Sequence, residues 1–367
     1  AETVEASAEE RKAAAAKIPA EDREVLRLAG ERIERFHKHQ RREGWMVSDE
    51  EGVELGQRIL PLERVGIYAP GGLASYPSTV LMTAIPARIA GVREIILVTP
   101  SRDGRLQPMI AAAAEIGGVN RIFKIGGAQA IAALAFGTES VPRVDKIVGP
   151  GNAYVAAAKK MVFGRVAIDM IAGPSEILII ADGTGDAAFA AADLLAQAEH
   201  DEMAGAVLLT PDESFAKTVA EEIENLLADL PRREIAARAL EAFGGLVVTR
   251  NLAEAVALAN RFAPEHLELM VQNPRELLPE LRNAGAIFLG SHTPEALGDY
   301  VAGPSHVLPT GGTARFSSPL GVDDFVKRTS VLSFSQKGLE RYAKTAVRLA
   351  EMECLEGHGR SVRLRLR

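Results

Sequence analysis

The sequence contains a single cysteine, Cys354, among 367 residues, which excludes a disulfide within the chain. Three acidic residues lie close to it, Glu351, Glu353 and Glu356, and negative charge disfavours the reactive thiolate, so we expect an inert thiol. The start of the chain lacks the features of a secretory signal. Both absences favour a reducing, cytoplasmic environment.

An excess of basic residues is also missing. Lysine and arginine number 42 against 49 aspartates and glutamates, for a net charge of −7, whereas nucleic-acid binders normally present a basic face. No apolar run approaches the roughly 20 residues of a membrane helix. Aromatic residues make up only 5% of a chain that is 47% hydrophobic, which is typical of packed α/β layers. The composition therefore argues against nucleic acid or membrane as partners, and the length indicates about two to three domains.

Short apolar strands alternate with helix-like segments from about residue 65 onward. The first series runs from VGIYAP at 65–70 to VAIDM at 166–170, and a second series starts with SEILIIAD at 175–182. Alternation of this kind predicts parallel βαβ units. The strand endings LVTP at 97–100 and LLTP at 208–211 resemble each other. The pattern therefore predicts two related α/β halves.

The two ends of the chain have a different character. Residues 1–43 are charged and alanine-rich, and they are predicted to form two helices with His37 and His39 on a solvated face. The segment from about Gly321 is predicted to be helical. At 360–367, arginines alternate with other residues at a period of two, which predicts an edge strand.

Glycine-rich turns at 70–72, 126–127 and 149–151 follow predicted strands. Ligands of open α/β sheets collect at the carboxyl ends of strands, and backbone N–H groups at a helix start suit a pyrophosphate. Neither the second nor the third turn completes the G-x-G-x-x-G pattern. A nucleotide site and an ordinary βα turn therefore both remain open.

A second group of polar residues suits a metal. Gln197 and His200 are three apart on a predicted helix, so they share one face. With Asp299 and His358 further along, they offer an amide oxygen, a carboxylate and two imidazoles, enough for one borderline-soft divalent cation. A Gln-x-x-His pair alone is usually structural. Five of the seven histidines, however, lie after residue 199, as a site built from several loops would require.

Glu265 and His266 stand at the start of a predicted strand. Neighbours in a strand point to opposite faces, so a pair that serves one site must sit in the turn before it. Imidazole accepts protons near pH 7, and a carboxylate beside it can activate water. A surface glutamate next to a hydrogen-bonded core histidine is the alternative.

Ten ordered segments resemble histidinol dehydrogenases. Nine of them lie between about residues 65 and 330, and the tenth extends the match into the tail: VGIYAPGG, GGAQAIAALAFG, GPGNAYV, AIDMIAGPSEILIIAD, LLAQAEH, APEHLEL, NAGAIFLG, GDYVAGPSHVLPT, TARFSSPL and LEGHGRSV. The resemblance implies an enzyme of histidine biosynthesis that depends on NAD and zinc. Such an enzyme oxidises L-histidinol to L-histidine through L-histidinal.

The resemblance also implies residue roles. Glu265 and His266 would be the catalytic pair. The ligands of one zinc ion per subunit would be Gln197, His200, Asp299 and His358. The NAD contacts would be Tyr68, Gln129 and Asn152. The substrate contacts would be Ser175, Gln197, His200, His266, Asp299, Glu353 and His358.

The implied fold is α/β, with two incomplete Rossmann-like parallel-sheet domains, a helical N-terminal segment and a small helical C-terminal tail. Residues 1–67 with 177–320 would form the first domain, 68–176 the NAD-binding domain, and 321–367 the tail. The family implies a homodimer whose tails exchange between subunits. Its members usually have a longer N-terminal region, so we expect the start AETVEASAEERK to be natively short or trimmed.

Three other functions remain open. A related dehydrogenase would use the same metal and acid–base pair on another small polar alcohol, such as a sulfonated diol. A non-catalytic module would retain the fold and bind only metal or nucleotide. A purely structural oligomer would leave the polar residues at the strand ends unexplained.

Overall fold

Helices and strands alternate through most of the chain, as the sequence predicts. The structure is a computed structural model that describes residues 4–71, 75–101 and 103–366. The helices are α1 (Ala8–Ala15), α2 (Ala20–Lys38), α3 (Pro77–Ala90), α4 (Pro108–Gly117), α5 (Gly127–Phe136), α6 (Ala153–Val162), α7 (Ala187–Ala198), α8 (Glu213–Ala228), α9 (Arg233–Phe243), α10 (Leu252–Phe262), α11 (Pro274–Leu277), α12 (Glu295–Tyr300), α13 (Gln336–Met352) and α14 (Glu356–Leu364). The strands are β1 (Trp45–Ser48), β2 (Val53–Pro61), β3 (Arg64–Tyr68), β4 (Glu94–Val98), β5 (Arg121–Phe123), β6 (Lys146–Val148), β7 (Ala167–Ile168), β8 (Glu176–Ala181), β9 (Gly205–Thr210), β10 (Gly244–Val248), β11 (His266–Met270), β12 (Ala286–Leu289) and β13 (Val326–Phe334).

The chain divides into two compact units. The described residues up to Gln40, together with Leu62–Phe325, form the first unit, and Arg41–Pro61 with the described residues from Val326 form the second. No helix in the described part of the chain is both long and apolar enough to cross a membrane.

Two five-stranded parallel sheets form the framework of the first unit. The first sheet has the order β5-β4-β3-β6-β7 and the second the order β10-β9-β8-β11-β12. If the strands of each sheet are numbered 1 to 5 along the chain, both sheets have the spatial order 3-2-1-4-5. In each sheet the chain forms the central strand first, then the two strands on one side of it, and then the two strands on the other side. The direction reverses between β3 and β6 in one sheet and between β8 and β11 in the other. This shared topology supports the prediction of two related halves.

The strands in the middle of both sheets are buried on both faces. Ile67 and Leu97 in the first sheet and Ile179 and Leu267 in the second are at most 1% exposed. Parallel strands covered by helices on both sides require such continuous apolar runs. Each fully buried side chain of this size contributes about 1.5–3 kcal/mol of hydrophobic free energy.

Helix α3 shows how local sequence sets the element bounds. Pro77 stands in its first turn, where a missing N–H costs nothing, and Gly91 ends it with a left-handed φ of 90°. Helices α1 and α2 pack against α3 and α4 beside the first sheet.

The prediction of a solvated face for His37 is wrong. This side chain is fully buried on α2, and its Nδ1 lies 2.7 Å from Gln40 Oε1. The ring also packs edge-on against Phe36, with centroids 5.2 Å apart. Burial lowers the pKa of His37 below its usual value, so the ring remains neutral inside the protein. His39 behaves as predicted, because it lies at the end of α2 with part of its surface in solvent.

The second unit contains a sheet that the sequence did not predict. Strands β1, β2 and β13 pair antiparallel, with β13 aligned along all nine residues of β2. The segment from Gly321 therefore begins with a short 3₁₀ helix at Val322–Phe325, continues as β13, and is α-helical only from α13 onward. The predicted edge strand at 360–367 is also wrong, because α14 occupies most of that segment. Arg363 on α14 forms ion pairs with Glu351 and Glu356, and arginine is a good helix former.

Candidate active site

Polar residues from three elements meet at the amino edge of the second sheet. Ser175 and Glu176 lie at the start of β8, and Glu265 and His266 at the start of β11. Helix α7 brings Gln197 to the same edge, because a crossover helix runs antiparallel to its strands and α7 ends six residues before β9 starts. Strand and helix termini therefore gather side chains that are distant in sequence.

Glu265 and His266 form a pair with the geometry that the sequence requires. Glu265 occupies a bend, and His266 is the first residue of β11, so the two side chains do not yet point to opposite faces. His266 Nδ1 lies 3.7 Å from Glu265 Oε2. Both side chains are buried, at 4% and 7% exposure. The alternative of a surface glutamate is thereby excluded.

A backbone carbonyl fixes the tautomer of His266. Its Nδ1 lies 3.0 Å from the carbonyl oxygen of Glu176, which accepts the Nδ1 hydrogen. Nε2 is then the bare nitrogen, and it has no hydrogen-bond partner. Burial lowers the pKa of His266 to about 4, although the Asp299 carboxylate opposes this shift. The ring is therefore neutral at pH 7, with a lone pair ready to accept a proton.

The environment shifts the pKa of Glu265 in the opposite direction. Burial raises the pKa of this carboxyl well above its usual value, and the nearby carboxylates of Asp299 and Glu176 raise it further. The backbone N–H of Glu176 donates to Glu265 Oε2 at 3.0 Å and opposes the shift. A carboxylate with a raised pKa is a stronger base. Pairs of titratable groups whose pKa values are shifted in opposite directions are typical of acid–base sites.

Two acids on α12 extend the site. His266 Nε2 lies 3.7 Å from Glu295 Oε1 and 3.8 Å from Asp299 Oδ1. The ligand atoms of these three residues lie within 4.8 Å of one another, the one such group of histidine, cysteine and acidic residues found in the described part of the chain. Burial raises the pKa of Glu295 well above its usual value. An imidazole with two carboxylates suits a divalent cation.

Gln197 and His200 adjoin this group. Gln197 is fully buried at the end of α7, and its Nε2 lies 3.2 Å from His200 Nδ1. Its carbonyl oxygen Oε1 has no hydrogen-bond partner. A buried, unpaired amide oxygen is costly unless a cation or donor meets it, so this residue fits a metal ligand. His200 lowers the pKa of His266 electrostatically, although burial lowers it more.

A cavity of about 1090 Å³ connects several predicted site residues. Its wall includes Asn152, Ser175, His200, Tyr300 and Arg232. The volume exceeds the range of roughly 300–1,000 Å³ for small-molecule sites, so it is large enough for a substrate and part of a dinucleotide. Arg232 is the cationic residue among the described lining residues, and its Nη2 donates to the His200 carbonyl at 3.4 Å.

Comparisons with known proteins show which family the chain resembles. The family model described as histidinol dehydrogenase matches residues 1–366. The histidinol dehydrogenase of Syntrophotalea carbinolica is 60% identical over 99% of this chain and 84% of its own length. That of Acinetobacter baylyi is 56% identical over 99% of this chain and 84% of its own length.

The chain belongs to the histidinol dehydrogenase family. This is a family of oxidoreductases that oxidise histidinol in histidine biosynthesis. A crystal structure of histidinol dehydrogenase from Elizabethkingia anophelis superposes with a TM-score of 0.95 at 41% identity, covering 99% of this chain and 84% of that one. The α/β fold and the family predicted from the sequence are thereby confirmed, and a dehydrogenase of sulfonated diols is not favoured.

A more distant likeness concerns the fold alone. An NAD-dependent aldehyde dehydrogenase from Sinorhizobium meliloti has a TM-score of 0.56 at 14% identity, covering 89% of this chain and 81% of that one.

Cys354 has a free thiol. It is exposed in the second unit, and its backbone has a left-handed φ of 59°.

The residues predicted to contact NAD lie at the carboxyl edge of the first sheet. Tyr68 ends β3, and its hydroxyl accepts the backbone N–H of Gly127 at 3.0 Å. Gln129 is exposed in the first turn of α5. Asn152 caps α6, where its Oδ1 accepts the N–H of Val155 at 3.1 Å. The predicted turn 70–72 follows β3, but Gly72 lies outside the described residues.

The two tail residues of the predicted site, Glu353 and His358, lie in the second unit. Glu353 follows α13 and His358 lies on α14, and both side chains are exposed. Their roles as a substrate contact and a metal ligand stay predictions.

Three polar residues around the site, Glu176, Glu268 and Glu295, were missed by the sequence analysis, and His306 was noted only among the five histidines after residue 199. Glu176 and Glu295 are described above. His306 Nδ1 lies 3.0 Å from the carbonyl of Asp299, and its Nε2 lies 3.1 Å from Thr79 Oγ1. Glu268 Oε1 accepts the N–H of Glu295 at 2.8 Å. One signal was present for Glu295, since it stands four residues before Asp299 and two acids at that spacing share a helix face.

Proposed function

We propose that this chain oxidises L-histidinol to L-histidine through L-histidinal, with loss of four electrons in two successive steps. The observation that carries the proposal is the neutral His266, whose unpaired Nε2 lies beside the acids of α12 while Glu265 stands 3.7 Å from Nδ1. One residue suits alcohol deprotonation and the other suits water activation, and the second oxidation requires water.

His266 is the proposed base of the first oxidation. Its Nε2 would take the proton of the substrate hydroxyl as the carbon-bound hydrogen leaves as hydride. The carbonyl of Glu176 holds the ring through Nδ1 and would stabilise the imidazolium that forms. A positioned base of this kind contributes about 10²–10⁴-fold to the rate.

Glu265 is the proposed base of the second oxidation. The bound aldehyde must add water before it can lose a second hydride. Glu265 Oε2 is held by the N–H of Glu176, and the raised pKa makes the ionised carboxylate a stronger base towards water. His266 would assist by accepting the proton of the hydrate. No cysteine is needed.

The proposal includes two bound groups. NAD⁺, when bound at Tyr68, Gln129 and Asn152, would accept one hydride in each oxidation, so two NAD⁺ would be used in succession. One zinc ion per subunit, when bound, would hold and orient the amino alcohol. Its proposed ligands are Gln197, His200, Asp299 and His358. The unpaired Oε1 of Gln197 supports its place in this set. The proposed substrate contacts are Ser175 and Glu353, with Gln197, His200, His266, Asp299 and His358.

We further propose a cytoplasmic homodimer with exchanged tails. Its domains would be 1–67 with 177–320, then 68–176, and a tail at 321–367. The second unit carries exposed apolar side chains that support an interface, namely Trp45 at 53%, Met46 at 52% and Leu332 at 66% exposure. The exposed Glu353 and His358 would then serve the partner's site.

A stoichiometric assay tests the proposed function directly. Limiting histidinol is incubated with excess NAD⁺ and zinc, and the NADH formed is counted by absorbance. We expect two NADH per histidinol, whereas an ordinary alcohol dehydrogenase gives one. A parallel assay with a sulfonated diol should give none. An absence of NADH with either substrate would favour a non-catalytic module.

A further inference from the structure

A buried ion pair lies beneath the turn that follows β6. Lys159 on α6 and Asp169, the residue after β7, form a salt bridge with side chains only 3% and 1% exposed. Burial of two charges costs free energy that their attraction repays only when further hydrogen bonds complete the geometry. The other hydrogen bonds of Lys159 and Asp169 therefore show which part of the structure this pair holds in place.

Both members of the pair bind the backbone of Gly149. Lys159 Nζ donates to the Gly149 carbonyl at 3.0 Å, and Asp169 Oδ2 accepts the Gly149 N–H at 2.7 Å. Asp169 Oδ1 also accepts the N–H of Met170 at 2.7 Å. Charge-assisted bonds are the stronger kind, so both polar backbone groups of one turn residue are tightly fixed.

Gly149 in turn adjoins two of the predicted NAD contacts. It has a left-handed φ of +106°, and a Cβ there would lie 2.2 Å from the carbonyl oxygen of Tyr68. Three residues later, Asn152 caps α6, the helix that also carries Lys159. The ion pair therefore sets the position of a turn at the point where the strand order of the first sheet reverses, which is where such sheets bind ligands.

We propose that Lys159 and Asp169 are positioning residues for the dinucleotide. They hold the turn Gly149–Asn152 against the end of β3, so that Asn152 and Tyr68 face NAD in a fixed arrangement. This inference rests on the proposed NAD dependence. The proposed substrate contact Ser175 lies six residues after Asp169, and its segment has a hydrogen bond of its own, because the N–H of Gly173 donates to Thr310 Oγ1 at 2.6 Å. Loss of the ion pair should therefore weaken dinucleotide binding and leave histidinol binding intact.

The test compares NADH affinity in the double variant K159M/D169N with wild type, measured by NADH fluorescence in the zinc-loaded protein. Removing both charges avoids a lone buried charge, which the single variants K159M and D169N would leave. We expect the NADH Kd to rise about tenfold or more, because small displacements of positioning groups have large effects. The KM for histidinol and the zinc content should remain as in wild type.

Two controls separate positioning from stability. Lys160→Met removes the exposed lysine next in sequence and should change nothing. K146M/D324N removes another lysine–aspartate pair, 2.9 Å apart, from the opposite end of β6. It should lower the Tm as the test variant does while leaving the NADH Kd unchanged.

The outcomes are distinguishable. A lower Tm with an unchanged NADH Kd in K159M/D169N would show a structural role only and overturn the inference. An equal rise of the Kd in K146M/D324N would overturn it as well. If wild type itself bound no NADH, the inference and the proposed NAD dependence would both fall.

Discussion

The two sheets of the first unit share one strand order but carry their candidate sites on opposite edges. In the first sheet, glycine turns and the predicted NAD contacts lie at the carboxyl ends of β3, β5 and β6. In the second, Ser175, Glu176, Glu265 and His266 lie at the amino ends of β8 and β11. In the proposed function, the same topology would therefore position the cofactor at one edge and the acid–base pair at the other.

The difference follows from what each edge offers. Carboxyl edges present the starts of helices, whose free N–H groups suit phosphates. Amino edges present the ends of helices, whose carbonyls carry partial negative charge and suit cations. Gln197 and His200 at the end of α7 lie at such an edge, together with the carboxyl groups of Glu265 and Asp299. A phosphate would be repelled where a metal ion and a cationic substrate are attracted.

The strongest test of this contrast replaces His266 by asparagine at the amino edge. We expect kcat to fall by at least about 100-fold, because the proton acceptor is lost, while NADH affinity remains unchanged. Steady-state kinetics and NADH titration measure both. Asp182→Asn is the matched control at the carboxyl edge of the same sheet, where Asp182 Oδ2 accepts the N–H of Gln272 at 2.8 Å. Near-normal turnover of the His266 variant would end its proposed role.

Glu265→Gln separates the two oxidations. The amide keeps the hydrogen bond to Glu176 but cannot take a proton from water. We therefore expect a loss of about 100-fold with L-histidinal as substrate and a clearly smaller loss in the first oxidation of L-histidinol. Single-turnover formation of NADH resolves the two steps. Equal losses in both steps would contradict water activation by this residue.

Variants of the proposed zinc ligands and of a proposed NAD contact test whether metal and dinucleotide bind at different edges. His200→Ala and His358→Ala should each release zinc on dialysis, whereas Asn152→Ala should retain it and weaken NADH binding instead. Elemental analysis of the dialysed proteins gives the zinc content per subunit. A full zinc complement in either histidine variant would refute that ligand, and would favour the group His266, Glu295 and Asp299.

Local patterns predicted the framework well. The alternation of continuous apolar strands with helices from about residue 65 was predicted because the apolar runs of buried parallel strands are visible in the sequence. The pairing of Glu265 with His266 was also accessible, because only a turn before the strand allows it. The family resemblance supplied the residue roles.

Long-range partners were the missing information. Strand β13 pairs with β2, more than 260 residues earlier in the chain, and a local period gives no hint of such a partner. His37 was placed in solvent because its neighbours are charged, yet α2 turns it inward against Gln40. At 360–367 the alternation of arginines suggested a strand, but the segment is mostly helical. Arginine favours helix, and Arg363 forms ion pairs with Glu351 on α13 and Glu356 on α14 that the alternation did not reveal.

A group of buried or partly buried acids, Asp193, Glu268 and Glu295, lies near the candidate site residues at the amino edge of the second sheet. Each acid shares a face of its element with a candidate site residue. On the helices the two are four residues apart, Asp193 and Gln197 on α7 and Glu295 and Asp299 on α12, and on strand β11 Glu268 is two residues from His266. Burial raises the pKa of Glu268 to about 9, with help from the Asp193 carboxylate, and burial raises that of Asp193 to about 6.

These shifts give the smallest predicted effect, a pH dependence of stability. Between about pH 4.5 and 9 the unfolded chain releases the Glu268 proton while the folded chain keeps it, so stability falls as pH rises. Glu268→Gln removes this proton and keeps an acceptor for the Glu295 N–H. From pH 5 to 6.5, metal-free wild type should lose roughly 2 kcal/mol of unfolding free energy relative to this variant, at 1.36 kcal/mol per pH unit. The lowered pKa of His266 acts in the opposite direction below pH 6.5 but is common to both proteins, so it cancels in the difference. Urea unfolding at both pH values measures it, and a constant difference would mean that Glu268 is ionised within the fold.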